Sequence, residues 1–376
     1  MKIQKIESFV VQQTLEESFS FSQWEYQSRS ICLVKVTLEN GLYGWGEGYG
    51  PSGLVKAGID FFRPFLLGQN ALETENLWEI MYRHSLDYAR RGVMLASLSA
   101  IDVALWDLKG KLLDCSVSVL LGGRKREEVQ AYATGLYFTE GNGLAKRLSD
   151  EAQKYREQGF HAVKMKVGLS IQQDIQNVQA VRESLGEDIH LMVDANHAYS
   201  FTEACQLARE LERFNISWFE EPVSPENYND YAELRLRTSI PIAGGECEYL
   251  RNGFLTLFQS RSVDIAQPDI CAAGGITEVK KIADMAKTFG VQIVPHTWGT
   301  GIAIAAALQL AGNIEIGPGR LFAPDALIEL DQTENLLRDE LTQPCFKPQN
   351  GKLQIPNAPG LGVDVDKKLL EHFLSE

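Results

Sequence analysis

Six ionisable side chains recur along the middle of this chain at a nearly constant interval. Lys166, Asp194, Glu220, Glu246, Asp269 and His296 are separated by 28, 26, 26, 23 and 27 residues. That interval is about the length of one strand–helix unit, and eight such units close a parallel barrel of roughly 250 residues. Apolar residues such as Val163, Met165 and Val167, Leu191 to Val193, and Ile216, Trp218 and Phe219 surround or precede these positions. A closed ring of parallel strands would carry all six to one mouth. Three carboxylates would meet there, flanked by a lysine and an Asp–His pair.

The chain has 376 residues, enough for a barrel and a second domain. Its formal net charge is −14 and it has no long basic run, which argues against nucleic acid as a partner. Six cysteines without CxxC spacing argue against a disulfide framework and against a zinc site. Cys247 directly follows Glu246; on a strand it points away from it and reads as packing. The N-terminus alternates polar and apolar residues and lacks the apolar core of a signal peptide. No stretch approaches the ~20 apolar residues of a spanning helix. These features lead us to expect a cytoplasmic protein that does not engage a membrane.

Three parts are expected. Residues 1–125 read as α+β: strands at 3–12 and 30–38, an Asn40-Gly41 hairpin turn, a returning strand over 42–48, and helices at 73–84 and 92–114. Over 126–340 strands and helices alternate, which implies a parallel sheet. Its eight strand candidates include 161–167, 240–245, 263–268, 291–296 and 326–330, with helices at 171–185, 201–213 and 276–289. Residues 341–376 carry a Pro348-Gln349-Asn350-Gly351 turn and a short helix, and are expected to return to the first part.

Lys164 and Lys166 lie two apart on one strand, hence on one face. Two like charges that close make it easier for one to be neutral, and a neutral lysine is a competent base. Asp194, Glu220 and Glu246 each follow an apolar strand, where unpaired burial is costly. Oxygen-only ligands favour Mg²⁺ over zinc. Glu220 and Glu221 point to opposite faces, so only one should bind the metal. A carboxylate on one nitrogen of His296, from Asp269, would orient the ring and raise its basicity. His84, His161, His190 and His197 lack such a setting and read as packing or surface residues. Gly44-Trp45-Gly46-Glu47-Gly48 lies in a hairpin, not at a helix start, and is no dinucleotide fingerprint. Gly299-Thr300-Gly301 opens a helix: either an anion site on its backbone N–H groups or a plain tight turn.

Across nearly its full length the chain resembles the enolase superfamily, mandelate racemase subgroup. The matching pieces are Ala104-Leu105-Trp106-Asp107-Leu108-Lys109-Gly110-Lys111, Leu120-Leu121-Gly122-Gly123, Lys164-Met165-Lys166, Asp194-Ala195-Asn196, Glu220-Glu221-Pro222, Gly245-Glu246, Gln267-Pro268-Asp269 with Gly274-Gly275-Ile276, and Pro295-His296. The resemblance implies a (β/α)₇β barrel with an α+β capping domain, and Mg²⁺ on Asp194, Glu220 and Glu246. It implies abstraction of the proton α to a carboxylate, with Lys166 as base on one face and His296, paired with Asp269, on the other. Lys164 and Glu329 would hold the substrate carboxylate. Residues 263–270 carry no lysine, unlike the muconate-lactonizing and dipeptide-epimerase branch. A symmetric homo-oligomer is also implied.

The leading expectation is dehydration of a sugar acid or related hydroxy acid to a 2-keto acid. Racemisation or epimerisation, including of hydroxyproline-type substrates, is the alternative, and a non-catalytic binding protein the remote one. Two loops similar to the family's mobile loops, one around Phe19, Phe21, Trp24 and Tyr26 and one over 49–53, would set specificity. Trp24, Tyr26 and Arg29 are candidates for substrate contacts, with Asn196 and Trp298 near the metal and His296.

Overall fold

Strand parity decides which side chains reach the centre. A computed structural model describes residues 1–315 and 325–375. Eight parallel strands follow one another: β4 (Glu128–Thr134), β5 (Ala162–Lys166), β6 (His190–Asp194), β7 (Ile216–Glu220), β8 (Ile242–Gly244), β9 (Ile265–Ala266), β10 (Gln292–Ile293) and β11 (Leu327–Asp331). Each pairs with the next from β4 to β10, and β11 returns to pair with β4. Among the described residues the seam between β10 and β11 carries no hydrogen-bonded ladder, so the ring is curled round but not bonded all the way.

Helices α5 (Leu144–Glu157), α6 (Ile171–Leu185), α7 (Phe201–Leu211), α8 (Tyr228–Arg235), α9 (Leu250–Gln259), α10 (Gly275–Phe289) and α11 (Gly301–Asn313) connect the strands. Val163, Met165 and Val193 pack outward in the large core shared with them. Ala162, Met192 and Trp218 point inward, into a small cluster with Tyr132, Ala243, Ile265 and Val294. Side chains two residues on share the inward face. Lys164, Asp194 and Glu220 therefore stand above this plug at the carboxyl ends of the strands.

Ahead of the ring, β1 (Ile3–Ser20), β2 (Glu25–Leu38) and β3 (Tyr43–Gly48) form an antiparallel sheet, against which α1 (Ser52–Leu66), α2 (Thr74–Ser85) and α3 (Val93–Leu112) pack, and the short α4 (Val117–Leu120) follows. The sheet is longer than the sequence suggests, and the 19–26 aromatics occupy the end of a hairpin. The 49–53 segment leads directly into α1, which the sequence reading lacks. The glycines of β3 answer a close approach: a Cβ on Gly46 would lie 2.0 Å from the Ala100 carbonyl oxygen of α3. In the last part, Lys352–Gln354 pairs antiparallel with β4. Asp364 accepts from the Tyr43 hydroxyl and the Trp45 indole, both at 2.9 Å.

Candidate active site

The β-strand ends bring Lys164, Lys166, Asp194, Glu220, Glu246, Asp269, His296 and Glu329 together in one buried cleft. Carboxylate oxygens of Asp194, Glu220 and Glu246 lie within 4.8 Å of one another. Lys166 Nζ donates to Asp194 and, at 2.8 Å, to Asn196 Oδ1. Lys164 Nζ bonds Glu220 and lies 2.9 Å from Glu329. On the opposite side His296 Nδ1 is 2.6 Å from Asp269 Oδ2, and Nε2 is 3.5 Å from Glu246. The Trp218 indole and the Gln267 amide each donate to Glu220 at 2.8 Å. Thr134 Oγ1 and the Thr297 amide hold the two oxygens of Glu329, at 2.6 and 3.1 Å.

The electrostatics tie these groups to each other. Burial opposes charge on Lys164 and Lys166, but Glu220 and Glu329 for the first, and Asp194 for the second, outweigh it and raise both. Lys164 does lower Lys166, as expected of two like charges, but the carboxylate beside each lysine outweighs that effect and keeps both charged. Burial also works against a charged His296, yet Glu246 and Asp269 push it up to about 10. Burial, then Asp194, Glu329 and Glu246, push Glu220 up to about 7 despite Lys164. An all-oxygen cluster of three carboxylates suits one hard divalent cation, which would also offset the burial and repulsion that raise Glu220.

The cleft is narrow, with an open volume of about 40 Å³, well below the ~300–1,000 Å³ usual for small-molecule sites. Phe21, Tyr26, Tyr49, Tyr137 and Trp298 form its apolar wall, with Asn196 among the polar lining. The hairpin tip closes over it. Ser20 and Phe138 exchange two backbone hydrogen bonds of 2.8 Å, and Gln23 Nε2 donates to the Asn196 carbonyl at 2.7 Å.

Two expected contacts fail. Trp24 sits at the turn of the hairpin, 64% exposed, and does not line the cleft. Arg29 is buried behind the wall, where it pairs with Asp331 at 2.8 Å and stacks 4.1 Å from the Trp298 ring centre. The helix start after Gly299 is also different from an open anion site. Its anion is internal: Glu47 of β3 accepts from the Thr300 amide at 3.0 Å, the Thr300 hydroxyl and the Ala303 amide. Tyr137 was missed because no acidic residue marks the end of β4. Its place just past that strand end was the available signal.

The sequence carries two family signatures that cover most of its length. Residues 5–122 match the mandelate racemase / muconate lactonizing enzyme N-terminal domain, and 147–369 match the enolase C-terminal domain-like family. The chain belongs to the enolase superfamily. Members of that superfamily generally use Mg²⁺, and the three-carboxylate cluster is placed where such an ion would sit. A crystal structure of the 3,6-anhydro-D-galactonate cycloisomerase from Zobellia galactanivorans is similar at 56% identity over all of both chains, with a TM-score of 0.92. The D-galactarolactone cycloisomerase of Agrobacterium fabrum is 40% identical over 99% of both chains. The arabinonate dehydratase of Saccharolobus solfataricus is 37% identical, covering 91% of this chain and 90% of the relative. This superfamily member has no helix, among the described residues, long and apolar enough to cross a membrane.

Proposed function

We propose that the protein is an Mg²⁺-dependent lyase of sugar acids. It removes the proton α to the carboxylate and expels the oxygen on the β carbon, leaving an enol that becomes a 2-keto acid. The observation that carries this reading is the pairing of Lys166 and the His296–Asp269 dyad across one acidic cluster. Proton-transfer groups on two sides of a cation site are what α-proton removal followed by elimination needs.

Asp194, Glu220 and Glu246 are assigned the Mg²⁺ ion. When bound, it would stabilise the charge that develops on the substrate carboxylate and draw Asp194 away from Lys166. Lys166 takes the α-proton. His296, held protonated by Glu246 and Asp269, gives its proton to the departing oxygen. Lys164 and Glu329 grip the substrate carboxylate, one as a charge and the other as a hydrogen-bonding partner. Asn196 orients Lys166, while Tyr26 and Trp298 close the cleft against water.

The leaving oxygen separates two forms of one reaction. Loss of hydroxide is dehydration, the activity named for the arabinonate dehydratase. In a 3,6-anhydro sugar acid the oxygen on the β carbon belongs to a ring, so the same elimination opens the ring without loss of water. Two observations favour ring opening: the 56% identity to the Zobellia galactanivorans enzyme, and a mainly aromatic wall that suits a compact cyclic acid better than an extended polyol. The test is incubation with Mg²⁺ and either 3,6-anhydro-D-galactonate or open-chain aldonates, followed by mass spectrometry. A 2-keto acid isobaric with its substrate means ring opening, and one lighter by a water means dehydration. An unchanged acid of inverted configuration would replace both by racemisation.

The substrate is a small carboxylate. A homo-oligomer in the cytoplasm completes the proposal; six free thiols support a reducing compartment. The proposed division of the chain is a capping part over 1–125, a barrel over 126–340 and a returning segment over 341–376.

A further inference from the structure

Two of the three carboxylates in the Asp194, Glu220 and Glu246 cluster have a neighbour that faces the other way. Glu221 follows Glu220 and Cys247 follows Glu246, so their side chains leave the ring on the helix side. His197 reaches the same place from the turn after β6. One donor atom from each, a nitrogen, an oxygen and a sulfur, lies within 4.8 Å of the others. His197 Nε2 is 3.0 Å from Glu221 Oε2 and 3.6 Å from Cys247 Sγ.

Those separations match the edges of a tetrahedron. Zinc bonds of about 2.3 Å to sulfur and about 2.0 Å to nitrogen and oxygen place a ligand nitrogen about 3.5 Å from the sulfur and about 3.3 Å from the oxygen. Glu221 adds a further sign. It is 1% exposed, and its Oε2, 3.0 Å from His197 Nε2, makes no well-aligned hydrogen bond. Buried carboxylate oxygens are seldom left so. A small cavity lined by Glu221, Cys247, Tyr228 and Glu248 adjoins two of the donors, and its volume of about 10 Å³ is near that of one water.

We propose that His197, Glu221 and Cys247 form a second cation site, selective for a soft divalent ion of the zinc class. The donor set differs from that of the cleft in kind: thiolate and imidazole favour zinc, whereas three carboxylates favour magnesium. On binding, a metal–sulfur bond forms as the Cys247 S–H bond breaks, and the proton passes to the solvent. The site would tie together the turns after β6, β7 and β8, which also carry Asp194, Glu220 and Glu246.

The test is titration of the Mg²⁺-saturated protein with Co²⁺, whose bond to thiolate gives a near-ultraviolet charge-transfer band. The proposal expects one equivalent of that band, its displacement by Zn²⁺ and its loss in Cys247→Ser. A zinc-induced rise in Tm should be present in the wild type and absent in that variant. Anomalous diffraction from Zn²⁺-soaked wild-type crystals checks the position without any mutation. No band, a band that persists in Cys247→Ser, or an anomalous peak only among Asp194, Glu220 and Glu246 overturns the proposal. Sugar-acid turnover enters none of these readouts, so failure here leaves the proposed reaction standing.

Discussion

Lys164 and Lys166 are two residues apart on β5, yet they have different neighbours. Lys164 is held between Glu220 and Glu329, and Lys166 between Asp194 and Asn196. The first therefore suits a fixed positive charge and the second a group that moves a proton. Replacing Lys166 by Ala, or His296 by Asn, should lower kcat by about 10²–10⁴-fold with a smaller change in KM. Steady-state kinetics on the accepted sugar acid checks this, and unchanged kcat in both variants would remove the assigned acid and base.

His296 offers a direct electrostatic measurement. Its ordinary value of 6.5 is raised to about 10. The folded, metal-free protein thus binds a proton more tightly there than the unfolded chain does. The stability this contributes is fully present below about 6.5 and is lost as the pH rises through about 10. NMR of the imidazole in metal-free protein should give a midpoint near 10, and added Mg²⁺, by engaging Glu246, should lower it.

At the level of elements, two capping-domain carboxylates fasten the barrel helices next to the dyad. Glu47 of β3 caps α11, which begins just after the His296 turn. Asp102 of α3 accepts from the Thr277 amide and hydroxyl at 2.9 and 2.6 Å, at the start of α10, just after Asp269. Glu47→Ala should cost about 1–3 kcal/mol in denaturant unfolding, since it leaves buried helix N–H groups unpaired. Burial raises Glu47 from 4.5 to about 7 against its hydrogen bonds. A raised acid means the fold keeps the proton longer, so stability falls as pH rises from 4.5 to about 7. Glu47→Gln should flatten that part of a Tm–pH curve.

These caps were not legible in the sequence, because neither partner lies near the other along the chain. The barrel helices were, because their apolar spacing is local: α6 starts and ends where its periodicity does. Strands β9 and β10 are shorter than expected for a related reason. The apolar runs extend to Asp269 and His296, but the ladders stop at Ala266 and Ile293, and the remaining backbone turns the two side chains toward each other. Helix α1 was hidden by Gly53, Gly58 and Pro64. Gly58 is there because a Cβ would lie 2.2 Å from Ser97 Oγ of α3.

For the molecule as a whole, the regular interval between charged residues was enough to gather Asp194, Glu220 and Glu246, because strand parity and unit length are both local properties. The aromatic wall was only half legible. Tyr26 and Trp298 reach the cleft and Trp24 does not, since the fold of a hairpin tip depends on what it closes against. The central claim is that a cation held by the three carboxylates makes an inert α C–H bond acidic and that elimination follows. Running the reaction in D₂O with and without Mg²⁺ tests it most directly, by NMR of the product. We expect a 2-keto-3-deoxy acid with one deuterium at C3, formed only with Mg²⁺ and lost in Lys166→Ala. Product without deuterium, or formed equally in the presence of a chelator, would contradict it.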